Sequence, residues 1–117
     1  MDISAIQQQL REFSAARDWD QFHTPKNLAM ALSVEAAELV ELYQWLTAEQ
    51  ADAASADPAF AERLGEEVAD ILLYLLRLAD RTGLDLDAAV QRKLRLNARK
   101  YPVASSRGRA KYLGEPR

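Results

Sequence analysis

Cysteine is absent from the 117-residue sequence, and this absence excludes several kinds of site. Without a thiol the protein has no disulfide bond, no thiolate nucleophile and no cysteine-ligated zinc. Histidine is scarce too, because His23 is the only one and it lies outside the acidic motifs described below. A ferritin-like site that oxidises or stores iron requires histidine among its ligands, so this function is also disfavoured.

Long apolar runs and a strong charge imbalance are missing as well. The longest fully apolar run, residues 71–76, is much shorter than the roughly 20 residues that a membrane-spanning helix needs. The N-terminus has no basic segment followed by an apolar stretch, so we expect no signal peptide and a soluble, cytoplasmic protein. A net charge of −3 gives no general attraction for nucleic acid or for an anionic membrane. We expect neither as a partner, and a bound polyanion would need a local site with a divalent cation as a bridge.

Apolar residues recur at helical spacing and no segment alternates with period two, which predicts an all-α protein. Four helices are expected, at about residues 2–17, 25–46, 58–82 and 85–101. Thr47 should cap a further short turn, and Gly83 should end the third helix. Together the four helices predict a four-helix bundle-like domain over residues 1–103, followed by a flexible tail over residues 104–117.

Two of these helices carry a glutamate at a position where their apolar stripe would place leucine. Glu35 lies in the leucine series of the second helix, and Glu67 lies between Leu64 and Ile71 in the apolar series of the third. Acidic residues three apart often line a solvated helix face, but such a face would not surround them with apolar side chains. The pattern therefore points to glutamates that are turned inwards for a reason other than packing.

Each of these glutamates has an acidic partner three residues later on the same helix face. Two neighbouring helices would then point Glu35, Glu38, Glu67 and Asp70 into one space. Buried carboxylates repel one another and are costly without a counter-ion, so the cluster requires cations. Ligands that are all carboxylate oxygens favour a hard ion, Mg²⁺ or Mn²⁺.

The motifs Glu35-Ala-Ala-Glu38 and Glu67-Val-Ala-Asp70 resemble the Glu-x-x-Glu…Glu-x-x-Asp signature of the MazG-like all-α nucleotide pyrophosphohydrolases. Residues 17–28, 41–45 and 93–102 look like the corresponding segments of the dCTP pyrophosphatase branch of that family. The resemblance implies Mg²⁺-dependent hydrolysis of a (deoxy)nucleoside triphosphate, dCTP or a base-modified dCTP, to the monophosphate and pyrophosphate. It also implies that the four motif acids bind Mg²⁺, with Mn²⁺ as a substitute, and that the role is house-cleaning of the nucleotide pool.

Glu38 is the candidate general base for the attacking water, since Glu35 lies deeper in its apolar stripe. On the fourth helix, candidate phosphate, sugar and base contacts lie four residues apart along one face. These residues are Lys93, Asn97 and Tyr101.

Two tryptophans, Trp19 in a connector and Trp45 near a helix end, are candidates to sandwich a base by stacking. Both could equally be structural aromatics. His23 reads as a local hydrogen-bonding residue that also lines the base pocket.

The third helix is apolar nearly all round, since Leu72, Leu73, Leu76 and Ala79 add to its core series. A helix of this kind must be covered on every side, which predicts a homodimer at least. The resemblance implies a homotetramer built from two dimers. The alternative function is a non-enzymatic helical assembly or regulatory module with a structural Mg²⁺ site, against which Trp19, Lys93 and Asn97 argue.

Overall fold

The computed structural model describes residues 1–109, and six helices are present in this part of the chain. They are α1 (Ile3–Ala16), α2 (Pro25–Tyr43), α3 (Ala48–Ala54), α4 (Pro58–Thr82), α5 (Leu86–Lys100) and α6 (Val103–Ser106). No strand occurs between residues 1 and 109, which confirms the all-α prediction. The long helices α1, α2, α4 and α5 are the four that the sequence predicts.

The chain divides into two compact units, Met1–Gly83 and Leu84–Arg117. The first contains α1 to α4, and the described part of the second contains α5 and α6. Part of α6 occupies the start of the predicted tail, and residues 110–117 of that tail lie outside the described residues. The single domain over residues 1–103 stays a prediction. None of the helices up to residue 109 has the length and apolar character needed to cross a membrane.

Local signals at both ends of α4 explain why its bounds agree with the prediction. The Asp57 side chain accepts a hydrogen bond from the backbone N–H of Ala59, and Pro58 occupies the first helical position. At the other end Gly83 adopts the left-handed conformation with φ of +69°, which ends the helix. Asp85 then caps α5 by accepting from the N–H of Ala88.

Helix α2 ends at Tyr43, three residues before the predicted end at residue 46. The reason is a capping box at the start of α3. The Thr47 hydroxyl accepts from the backbone N–H of Gln50 at 3.1 Å, and the Gln50 side chain accepts from the backbone N–H of Thr47 at 2.9 Å. Since Thr47 must be extended to act as this cap, residues 44–46 form the turn between the two helices.

In the first unit α2 and α4 form the main helix pair, and α1 packs against α4. Leu28 and Leu42 of α2 are buried, as are Leu76 and Ala79 of α4. The α1–α4 contact is also polar, because the Gln7 side chain donates to the backbone oxygen of Leu76 at 3.0 Å. The two helices that carry the acidic motifs therefore lie side by side.

Candidate metal and nucleotide site

The pairing of α2 with α4 brings three of the four predicted acids together. One carboxylate oxygen each from Glu35, Glu38 and Glu67 lies within 4.8 Å of the other two. Asp70 is not part of this tight group, but its charge contributes to the raised pKa of Glu35 and of Glu67, so it lies nearby. The structure thus places all four acids in one region of the first unit.

Two oxygens of this cluster lack partners. The Oε2 atoms of Glu35 and Glu67 are buried and accept no hydrogen bond from residues 1–109. Burial raises the pKa of Glu35, and the neighbouring Glu38 raises it further. Burial likewise leads the upward shift in the pKa of Glu67, followed by the charge of Glu38. Orphaned carboxylate oxygens in an all-oxygen cluster suit a hard divalent cation, so these residues fit Mg²⁺ or Mn²⁺.

Tyr74 lies one turn beyond Asp70 on α4, close to the acids. Burial raises the pKa of its phenol, and the negative charges of Glu35, Asp70 and Glu38 add to this shift. The hydroxyl therefore keeps its proton and can serve as a hydrogen-bond donor. The spacing of four between Asp70 and Tyr74 places both side chains on one face of α4.

A cavity of about 210 Å³ adjoins this region within the first unit. Its lining is mostly apolar and aromatic: Leu10, Phe13, Trp19, His23, Leu28, Asp70, Leu73, Tyr74 and Arg77. Trp19 packs edge-on against Phe13, with ring centres 5.7 Å apart, and against His23, with ring centres 6.1 Å apart. An aromatic cavity with a few polar groups is typical of a small-molecule site. Asp70 is the predicted metal ligand that lines it.

The predicted substrate contacts are distributed over different parts of the chain. Trp19 and His23 line the cavity, whereas Trp45 is 86% exposed and does not line it. Lys93, Asn97 and Tyr101 belong to the second unit, on α5 and at its C-terminal cap. The stacking role of Trp45 and the phosphate and sugar contacts of the α5 residues stay predictions.

Arg77 is a residue of this site that the sequence analysis missed. It is only 4% exposed, and its Nη2 donates to Asp20 at 2.9 Å while its Nε donates to Nδ1 of His23 at 3.2 Å. Asp80 lies 3.6 Å from Nη1 of the same guanidinium. The connector that forms one wall of the cavity is thereby tied to α4. The available signal was the spacing of Arg77, three residues after Tyr74, on the face of α4 that carries the acids.

The chain is similar in sequence to a known family and to several curated proteins. A sequence profile of the MazG-like family matches residues 30–115. The dCTP pyrophosphatase 1 of Bos taurus is 48% identical over 106 residues, covering 90% of this chain and 63% of that protein. The human protein of the same name is 43% identical over 104 residues, covering 89% and 61% respectively. The chain thus spans about three fifths of the length of these curated relatives.

A solved structure also matches. A pyrophosphatase from Archaeoglobus fulgidus superposes with a TM-score of 0.76 and is 42% identical. The match covers 81% of this chain and 87% of that one. This structural neighbour and the curated relatives are all named pyrophosphatases.

Proposed function

Because the chain belongs to the MazG-like family, we propose that it hydrolyses a (deoxy)nucleoside triphosphate to the nucleoside monophosphate and pyrophosphate. The main support is the pair of orphaned, buried oxygens of Glu35 and Glu67 beside an aromatic cavity. The proposed substrate is dCTP or a base-modified dCTP, since relatives at 43–48% identity are named dCTP pyrophosphatase 1. The role is house-cleaning of the nucleotide pool, in the cytoplasm.

Glu35, Glu38, Glu67 and Asp70 would hold the Mg²⁺, with Mn²⁺ as a substitute. Bound there, the ion would neutralise triphosphate charge, polarise the α-phosphate and lower the pKa of water. Without a cation the same carboxylates would repel a triphosphate, because the acid cluster and the phosphates are both negative. Asp70 lines the cavity as well, so a base in the cavity would lie near the acids.

Glu38 is the proposed general base. One of its carboxylate oxygens lies within 4.8 Å of an oxygen of Glu35 and of Glu67, and Glu38 is the leading charged neighbour of both. It would take a proton from water as the water oxygen bonds to the α-phosphorus. The bond from that phosphorus to the bridging oxygen breaks, and pyrophosphate leaves with the electron pair.

The base would bind by stacking in the cavity. Trp19 and His23 supply two of its walls, and Phe13 and Tyr74 complete the aromatic lining. Lys93 is proposed to contact a phosphate, and Asn97 and Tyr101 the sugar or base edge. Trp45 remains a second proposed stacking residue.

We further propose a homodimer at least, and a homotetramer as the complete assembly. An apolar groove of about 430 Å³ runs along the first unit, lined by Leu39, Val40, Tyr43, Gln44, Leu64 and Val68. Val40 is 59% exposed on this groove. Exposed branched aliphatic side chains beside a groove are typical of a protein interface. Light scattering at micromolar concentration measures the mass directly, and a monomer would contradict the proposal.

The activity is tested by incubating the protein with each canonical dNTP and with 5-methyl-dCTP in Mg²⁺, and separating the products by anion exchange. Glu67→Gln should abolish formation of monophosphate and pyrophosphate. Glu62→Gln is the matched control, an exposed acid on the same helix outside the cluster, and should keep full activity. Diphosphate with orthophosphate would contradict the mechanism. A folded, Mg²⁺-binding protein without any turnover would favour the non-enzymatic module with a structural ion.

A further inference from the structure

The protonation of His23 is determined by its neighbour. Nε of Arg77 lies 3.2 Å from Nδ1 of His23 and donates to it. A guanidinium has donors only and keeps its protons at every accessible pH, so Nδ1 must be the acceptor. In a neutral imidazole the single proton then resides on Nε2.

Arg77 is held firmly enough to impose this arrangement. Asp20 accepts from its Nη2 at 2.9 Å, and Asp80 lies 3.6 Å from its Nη1. Asp80 is itself paired with Arg11 of α1 at 2.6 Å. Since the guanidinium is a planar fork, fixing both Nη atoms also fixes the direction of Nε.

The surroundings also keep the ring neutral. Burial lowers the pKa of His23, and the charge of Arg77 lowers it further. Asp20 opposes this shift, while Arg81 adds to it. The imidazole therefore carries one proton at neutral pH.

The remaining ring nitrogen faces no protein partner, because Nε2 of His23 makes no hydrogen bond with residues 1–109. His23 lines the cavity, whose other lining is mostly apolar. We infer that Arg77 is a positioning residue that fixes His23 as the Nε2–H tautomer, so that His23 donates a hydrogen bond to the occupant of the cavity. The occupant, a nucleobase if the proposed function holds, must then present an acceptor, a carbonyl oxygen or an unprotonated ring nitrogen.

The tautomer can be measured without any substrate. Because His23 is the only histidine, its two ring nitrogens are assigned without ambiguity in a long-range ¹H–¹⁵N correlation spectrum. At neutral pH the wild-type protein should show a protonated Nε2 and an unprotonated Nδ1. Arg77→Met should introduce the other tautomer and raise the pKa of His23, whereas Arg63→Met, at an exposed arginine of the same helix, should leave the ring spectrum unchanged.

Two results would overturn the inference. One is a protonated Nδ1 in the wild-type protein, which decides the matter even if Arg77→Met fails to fold. The other is an Arg77→Met ring spectrum identical to that of the wild type.

Catalysis supplies the second readout. The KM of the wild type should be about tenfold lower for dCTP than for a triphosphate whose base is an apolar isostere, because one good hydrogen bond contributes about this much. His23→Phe and Arg77→Met should remove this preference by raising the KM for dCTP, whereas the KM for the isostere should stay near its wild-type value. An unchanged preference in both variants would contradict the donor role. If no triphosphate is hydrolysed, the proposed function fails, yet the ring spectrum still tests the tautomer.

Discussion

Replacing Leu28 with alanine tests the packing of the first unit and the use of its cavity together. Leu28 of α2 is 2% exposed and also lines the cavity. Leu42 of the same helix is 8% exposed and does not line the cavity. Leu42→Ala is therefore a matched control with the same chemistry, the same helix and similar burial.

The loss of stability follows from the buried carbon atoms. Each buried methylene contributes about 0.8 kcal/mol, so removing three carbons costs about 2.4 kcal/mol in transfer free energy. Leu→Ala changes in cores cost about 2–5 kcal/mol, the excess arising from the empty volume left behind. At position 28 the new space joins an existing cavity that water can enter, because Asp70 and His23 offer polar partners. We therefore expect about 2.5 kcal/mol for Leu28→Ala, and about 3 kcal/mol or more for Leu42→Ala.

Substrate selectivity should separate the two variants. A wider cavity accommodates a larger base, and one methylene in an apolar pocket changes selectivity about tenfold or more. Leu28→Ala should raise the ratio of kcat/KM for 5-methyl-dCTP over dCTP by about threefold to tenfold. Leu42→Ala should leave this ratio at the wild-type value.

The measurements are urea unfolding followed by circular dichroism, and steady-state kinetics on both nucleotides below the melting temperature of each variant. Equal selectivity in the two variants would refute the assignment of the cavity to the base. A Leu28→Ala protein as stable as the wild type would refute the packing.

Three further changes test other parts of the molecule. The pKa values of Glu35 and Glu67 are raised in the folded protein, so these groups add stability at a pH below the unfolded carboxyl pKa, and this stability is lost as the pH rises through the folded pKa. The melting temperature of the metal-free protein should fall over this pH range, and Mg²⁺ should restore it. Glu67→Gln should make the fall smaller, whereas Glu62→Gln should not. Gly83→Ala should lower the free energy of unfolding in urea by about 1 kcal/mol because the φ of Gly83 is +69°, whereas Gly65→Ala inside α4 should raise it by a similar amount. A change of the same sign in both variants would contradict this prediction. Val40→Asp should lower the mass in light scattering with helical content retained, and an unchanged mass would place the interface elsewhere.

Local sequence determined the helices and the composition of the acid cluster. Asp57, Pro58 and Gly83 act on their own backbone neighbours, so the ends of α4 could be predicted without knowing its packing. The same holds for the placement of Glu35 and Glu67 in apolar stripes, since helical periodicity alone decides which residues share a face. The end of α2 was misjudged because the spacing of Leu42 and Leu46 favours continuation, and the turn before the capping box at Thr47 overrides it.

The tertiary structure decided which faces meet. Only the packing of α2 on α4 shows that Glu35, Glu38 and Glu67 approach within 4.8 Å of one another, and that Asp70 lines the aromatic cavity. The spacing of Arg77 placed it on the face of α4 that carries the acids, but its burial could not be predicted, because a charged residue on a helix usually reaches solvent. Its burial depends on Asp20 and His23, more than fifty residues earlier in the chain. Periodicity defines a helix face, but the partner of that face, and hence the site between them, depends on contacts between residues distant in sequence.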